Sequence, residues 1–248
     1  MKVYILGSGQ MALSMALGFR DSGFEVLIIG RNEQSLKKAL ELGFETEFYG
    51  ENYDITGKSI ILAFSPNALA EVSQKLSGKA AVCISVLARA SLNKLKSHIR
   101  ALKYAVCLPN LAAKFRVSVT PYMGDEASEK YLNAIGSSMR FENEKEFRAA
   151  CVLSACSPAY LAIVADSLAN GAVLQGVNHD SAQKLVVDSF SSMARLLKNT
   201  HPSILRDAVC TPAGMSIEGV LELEKNGVRA AFMKAVVASA EKMKIENE

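Results

Sequence analysis

Up to about residue 125, short runs of apolar and often β-branched residues alternate with stretches in which apolar positions recur every three or four residues. The runs KVYIL (2–6), EVLIIG (25–30), SIILAF (59–64), AAVCISV (80–86), YAVCL (104–108) and VSVTPYM (117–123) read as strands. Helical stretches between them end near Arg20 and Leu42, begin at Asn67, and cover residues 91–99. This alternation predicts parallel βαβ units, because a helix has to return the chain to the same end of the sheet before the next parallel strand. Beyond Asp125 the strand signal fades to a weak MRFE (139–142), and helical spacing takes over. One stretch lines up Ala182, Leu185, Val186, Phe190, Met193, Leu196 and Leu197; another lines up Val228, Ala231, Phe232, Ala235, Val236 and Met243. The predicted fold class is α/β, with an N-terminal doubly wound parallel sheet followed by an all-helical C-terminal domain. The expected boundary falls between residues 1–146 and 147–248, with no linker rich in Pro, Gly or Ser to mark it.

The first strand runs straight into GSGQMA, a Gly-x-Gly-x-x-Ala fingerprint at a strand-to-helix turn. Gly7 permits the tight turn and Gly9 lets a pyrophosphate approach the backbone. Ala12 keeps the helix close to the sheet, while the N–H groups around Ser8, Gln10 and Met11 face the phosphates. This is the pattern of a Rossmann-like dinucleotide site. Where an NAD site usually places a carboxylate for the ribose 2′-hydroxyl, at the end of the second strand, the chain has Arg31 followed by Asn32. A guanidinium suits a 2′-phosphate, so NADP (as NADPH) is the expected cofactor, with NAD left open; the alternative is a solvated arginine at a strand end. The exit of the third strand offers Ala63, Ser65 and Pro66 on the same sheet edge, either to the cofactor or as a helix start.

The totals narrow the partners. The 28 basic and 25 acidic residues of the 248-residue chain leave a net charge of +3 and are interspersed, which does not favour nucleic acid. No uninterrupted apolar run reaches the roughly 18 residues of a membrane span, and Gly7 to Gln10 break what would otherwise resemble a signal peptide. The five cysteines lack CxxC spacing, which argues against a disulfide framework or a zinc site and suits a reducing cytoplasm. No Ser-His-Asp, HExxH or carboxylate cluster stands out, and no metal is expected; His201, before Pro202, reads as a helix start. In the helical region, DAVCTPAGMSIEGV (207–220) interrupts the pattern with a Thr-Pro-Ala-Gly turn and a new helix start. Such a start offers backbone N–H groups to an anion; the plainer reading is a helix-to-helix connection.

With GSGQMA, IILAFSP, CISVLA, LPN at 108–110, SPAYLAIVADSLANGAV at 157–173 and HPSILRDAVCTPAGMSIEGV at 201–220, the chain resembles the pyrroline-5-carboxylate reductase family over nearly its whole length. The resemblance implies a Rossmann domain, a helical domain that builds an intertwined homodimer or higher homo-oligomer, and NAD(P)H-dependent reduction of a cyclic imine, pyrroline-5-carboxylate, to L-proline. In that family the turn normally reads Ser-Pro-Gly-Gly, then a small residue or Thr, then Thr, and binds the substrate carboxylate. By resemblance, Thr211 and Ser216 serve catalysis, and Thr211, Gly214, Met215 and Ser216 bind substrate. Ala213 stands at a usual glycine and Met215 at a small residue or Thr, while Ala155 and Ser157 replace glycines before Pro158. These departures leave two alternatives: a related imine or keto-acid reductase, or an NADP-binding regulatory paralogue without turnover.

Overall fold

The alternating runs fold as strands and helices in a computed structural model that describes residues 1–243. In chain order the elements of the sheet region are β1 (Lys2–Leu6), α1 (Gln10–Asp21), β2 (Glu25–Gly30), α2 (Glu33–Glu41), β3 (Glu45–Phe48), β4 (Tyr53–Asp54) and β5 (Ser59–Leu62). They continue with α3 (Leu69–Gln74), β6 (Leu76–Ser77), β7 (Ala80–Ser85), α4 (Leu92–His98), β8 (Ala101–Cys107), β9 (Ser118–Gly124), α5 (Glu129–Ala134) and β10 (Gly136–Arg140). The helices that follow are α6 (Glu144–Leu174), α7 (His179–Leu196), α8 (Pro202–Val209), α9 (Met215–Lys225) and α10 (Val228–Lys242).

Eight strands form one sheet in the order β10-β9-β8-β7-β5-β1-β2-β3. Pairing is parallel throughout except between β8 and β9. The sheet is thus the doubly wound, mostly parallel one expected, with a single antiparallel pair. Residues 108–117 join β8 to β9 through only a 3-10 turn at Leu111–Phe115, too short a path to bring the chain back for a parallel pairing, so β9 runs in reverse with Cys107 opposite Tyr122. Strand β10 is a correction: it spans Gly136–Arg140 and pairs in parallel with β9, where the sequence offered only 139–142.

Chain order reverses on either side of β1, which has β2 on one flank and β5 on the other, so the crevice at its carboxyl end is the switch point where ligands of such sheets bind. Helix α1 is held there by Ala12, Met15, Ala16 and Phe19, all fully buried at helical spacing.

The described residues form two compact units, Met1–Cys156 with residues 239–243, and Ser157–Ala238. The first has a continuous core on both faces of the sheet. In the second, only Ala169 and Ala182 of the apolar residues are buried among those described. The stripe predicted on α7 forms on a helix, yet Leu185, Met193, Leu196 and Leu197 on it are exposed. Helix α6 runs unbroken through Pro158 and is, by length and composition, apolar enough to cross a membrane, a property that a search for uninterrupted apolar runs does not reveal.

Candidate active site

At the end of β1 the backbone N–H of Gly7 donates to Ile29 of β2 at 2.8 Å, and its φ of +122° lies where side chains are disfavoured. A Cβ there would come within 2.2 Å of the Ala63 carbonyl oxygen, so the protein itself demands this glycine. Gly9 differs. It is the N-cap of α1 in ordinary extended geometry (φ −73°, ψ 179°), and a Cβ built on it meets nothing within 4 Å. Nothing among the described residues requires glycine at that position, and the space a methyl would fill lies over the helix start. No side chain caps α1, so the N–H groups of its first turn, beginning at Gln10 and Met11 beside Ser8, remain free of helical partners. An open cradle over unpaired donors at the positive end of a 12-residue helix fits a dinucleotide pyrophosphate.

Arg31 lies exposed just past β2. Asn32 is committed locally: its side chain accepts from Ser35 N at 3.0 Å and forms a capping box for α2. At the exit of β5, Ala63 is buried, and Ser65 precedes a 3-10 turn (Pro66–Ala68) that it does not cap through its side chain, leaving an exposed hydroxyl. The sheet therefore brings Gly7–Met11, Arg31 and Ala63–Pro66 to the carboxyl ends of three adjacent strands, β2, β1 and β5.

The turn after α8 lies within the helical unit. His201 caps α8, its Nδ1 accepting from Ser203 N, as its place before Pro202 predicts. Gly214 N donates to Thr211 O at 3.0 Å, closing a four-residue turn. Proline fixes a negative φ at the second position and Ala213 takes φ +56° at the third, which defines a type II turn with alanine where glycine is preferred. A Cβ on Gly214 would sit 2.4 Å from Thr211 Oγ1 and 3.0 Å from the Thr211 carbonyl oxygen, so a larger residue there would have to displace the Thr211 hydroxyl. Gly214 is the N-cap of α9 and has no side chain to offer, so the first N–H groups of α9 are left open. Ser216 therefore lies inside the first turn and is not the cap. Met215 is 93% exposed and Ser216 is exposed as well.

Two residues outside the expected set stand just past the carboxyl ends of β7 and β8. Asn110 accepts from Ala112 N at 3.0 Å and donates to Ser154 O at 3.3 Å, tying the exit of β8 to α6. Arg89, just past β7, has a left-handed backbone with φ +66°. No sequence signal marks Arg89, because a positive φ at a residue other than glycine is visible only in the folded chain.

Residues 144–245 match the family model described as pyrroline-5-carboxylate reductase dimerisation, and residues 2–89 match that described as NADP oxidoreductase, coenzyme F420-dependent. A pyrroline-5-carboxylate reductase of Helicobacter pylori strain J99 is 33% identical over 253 residues, covering 97% of this chain and 98% of the relative. One from Arabidopsis thaliana is 31% identical over 262 residues, covering 97% and 94%. The solved 1-pyrroline-5-carboxylate reductase of Streptococcus pyogenes superposes with a TM-score of 0.84 at 26% identity, over 98% of each chain.

Proposed function

Because the chain belongs to the pyrroline-5-carboxylate reductase family, we propose that it reduces pyrroline-5-carboxylate to L-proline with NADPH. Membership makes it an NAD(P)H-dependent oxidoreductase acting on a C=N bond. The observation that carries the proposal is similarity running end to end, through both the dinucleotide turn and the turn at 211–216. Gly7, Ser8, Gly9, Gln10 and Met11 hold the pyrophosphate, and Ala63, Ser65 and Pro66 flank it. Arg31 meets the 2′-phosphate, with no carboxylate at that position to repel it. When bound, NADPH supplies the hydride.

The chain's own work is electrostatic and positional. A cyclic imine protonated on nitrogen is already an electrophile, and its reduction to the secondary amine takes up one hydride at carbon, so the protein has to hold the ring and its carboxylate in place. We assign the carboxylate to the start of α9, where open N–H groups at Met215 and Ser216, the Ser216 hydroxyl and the Thr211 hydroxyl surround the turn that Gly214 closes. The match to a dimerisation domain supports a homo-oligomer. We assign the exposed apolar side chains of the helical unit, Leu161 and Ile163 on two sides of α6 and Leu185 on α7 among them, to a second copy in a homodimer, which also gives α6 a use other than a bilayer. A cytoplasmic location suits the five unpaired thiols.

One observation favours a second reading, a reductase of another small imine or keto acid: Ala213 and the exposed Met215 change the turn that would touch substrate. An acceptor panel tests both. The first reading expects the highest kcat/KM for pyrroline-5-carboxylate, whereas a higher value for another imine or a keto acid supports the second. NADPH binding without turnover on any acceptor indicates a regulatory paralogue. Light scattering should give at least a dimer mass; a monomer rejects the assignment of the exposed apolar side chains.

A further inference from the structure

Helix α6 carries the chain from the sheet unit into the helical unit, the change falling between Cys156 and Ser157. Pro158 lies directly after it, inside the helix. A proline there has no N–H to donate and presses its ring on the carbonyl four residues back, which belongs to the buried Ser154. The sheet unit supplies a donor in its place. Asn110, just past β8, donates from Nδ2 to Ser154 O at 3.3 Å. Its Oδ1 accepts from Ala112 N at 3.0 Å, so only the Nδ2 end of the amide can face that carbonyl. The backbone N–H of Asn110 donates in turn to Ser118 Oγ at 3.0 Å, and the Ser154 hydroxyl donates to the Val119 carbonyl of β9. Ser154 is thus tied to the sheet through its hydroxyl and through the carbonyl that Pro158 releases.

We infer that Asn110 is a positioning residue: its amide replaces the N–H that Pro158 lacks and fixes the course of α6 where the chain enters the helical unit. An interior proline is a place where helices bend, and a partner for the released carbonyl sets that bend. The inference rests on the reaction proposed above, in which the sheet unit holds the cofactor and the helical unit the substrate carboxylate. An error in the helix that joins them is then an error in the alignment of the reactants. Asn110 acts through α6 and needs no contact with either ligand.

A double-mutant cycle with Pro158 tests this. Asn110→Ser keeps an oxygen to cap Ala112 N but has no amide to reach Ser154 O, while Asn110→Asp keeps the shape and turns an oxygen toward that carbonyl. Each should lower kcat/KM for pyrroline-5-carboxylate by about 10- to 100-fold, chiefly in kcat, with the Kd for NADPH within about twofold of wild type. Pro158→Ala restores a helical N–H to Ser154 O. In that background the same Asn110 substitutions should change kcat by less than about threefold. Hydrogen exchange reads the contact without substrate. Backbone amides of residues 155–162 should exchange at least about fivefold faster in Asn110→Ser than in wild type, and no faster in the double variant than in Pro158→Ala alone. Equal kcat losses in both backgrounds would mean that Asn110 acts on the ligands directly, and unchanged kcat with a lowered Tm would mean a purely structural contact. Either result overturns the inference, as does unaltered exchange in a folded Asn110→Ser or Asn110→Asp variant. If pyrroline-5-carboxylate is not reduced, the kinetic cycle uses the best acceptor of the panel; with no acceptor at all the proposed reaction fails, and the exchange cycle still decides whether Asn110 holds Ser154.

Discussion

Replacing each of the two fingerprint glycines by alanine should separate folding from cofactor binding, because the structure needs them for different reasons. At Gly7 the positive φ and a Cβ 2.2 Å from the Ala63 carbonyl oxygen act together. Backbone strain of about 1–3 kcal/mol and overpacking of about 1–3 kcal/mol should destabilise the protein by about 2–6 kcal/mol. For a chain of this size that lowers Tm by about 5–20 °C. At Gly9 the backbone is ordinary and the space is open. Alanine there removes about 0.4–1 kcal/mol of unfolded-chain entropy, and this largely offsets the roughly 0.5–1 kcal/mol by which glycine is the better N-cap. Gly9→Ala should thus melt within about 4 °C of the wild type. Its methyl, however, occupies the approach to the α1 N–H groups. Loss of one charge-assisted hydrogen bond, about 1.5–3 kcal/mol, raises the Kd for NADPH by about 10- to 100-fold. Thermal melts without cofactor and calorimetric titration with NADPH read the two effects separately. Unchanged NADPH affinity in a folded Gly9→Ala variant would refute the cradle.

Four further outcomes follow. Ser216→Ala should lower kcat/KM for the imine by about 10- to 100-fold with NADPH binding nearly unchanged; because Ser216 does not cap α9, its Tm should hold, and intact kinetics would remove it from the site. Arg31→Asp should weaken NADPH far more than NADH, as judged from the two Kd values, and equal losses would show that Arg31 does not meet the 2′-phosphate. Ala213→Gly should relieve a left-handed alanine (φ +56°) and raise stability by up to about 1 kcal/mol, net of the extra entropy of glycine in the unfolded chain; a lower urea midpoint would contradict the type II turn. Burial pushes the Cys151 thiol up to about 12 and raises those of Cys83 and Cys107 too. Unfolded thiols titrate near about 8.5, so the stabilisation from these groups is full below that pH and is lost as pH rises toward the folded values. The urea midpoint should therefore fall between about pH 8 and about pH 10, and a flat profile would contradict their burial.

What could be read from the sequence follows burial closely. KVYIL and EVLIIG became β1 and β2 because both sheet faces are covered there, and such strands read as continuous apolar runs. Strands β3 (ETEF) and β10 (GSSMR) lie at the two edges of the sheet with mostly exposed or half-exposed residues, so no apolar run announces them. The reversal of β9 depended on the length of a connection rather than on any residue in the strand. Helix α6 carries Pro158 in its interior, the usual sign of a break, and still continues to Leu174. In the candidate site, the fingerprint and the Thr-Pro-Ala-Gly turn were legible because both are short-range backbone chemistry. The φ of Ala213, the N-cap role of Gly214 and the left-handed backbone of Arg89 were not, since each depends on geometry that side-chain type does not encode.

The central claim is that this chain moves a hydride from NADPH to the imine carbon of pyrroline-5-carboxylate, and isotope transfer tests it most directly. With NADPH carrying deuterium at both C4 positions, the L-proline formed should be one mass unit heavier, with the label on C5 and one proline formed for each NADPH oxidised. Proline without deuterium, or label-bearing NADPH that is bound and never consumed, would contradict it.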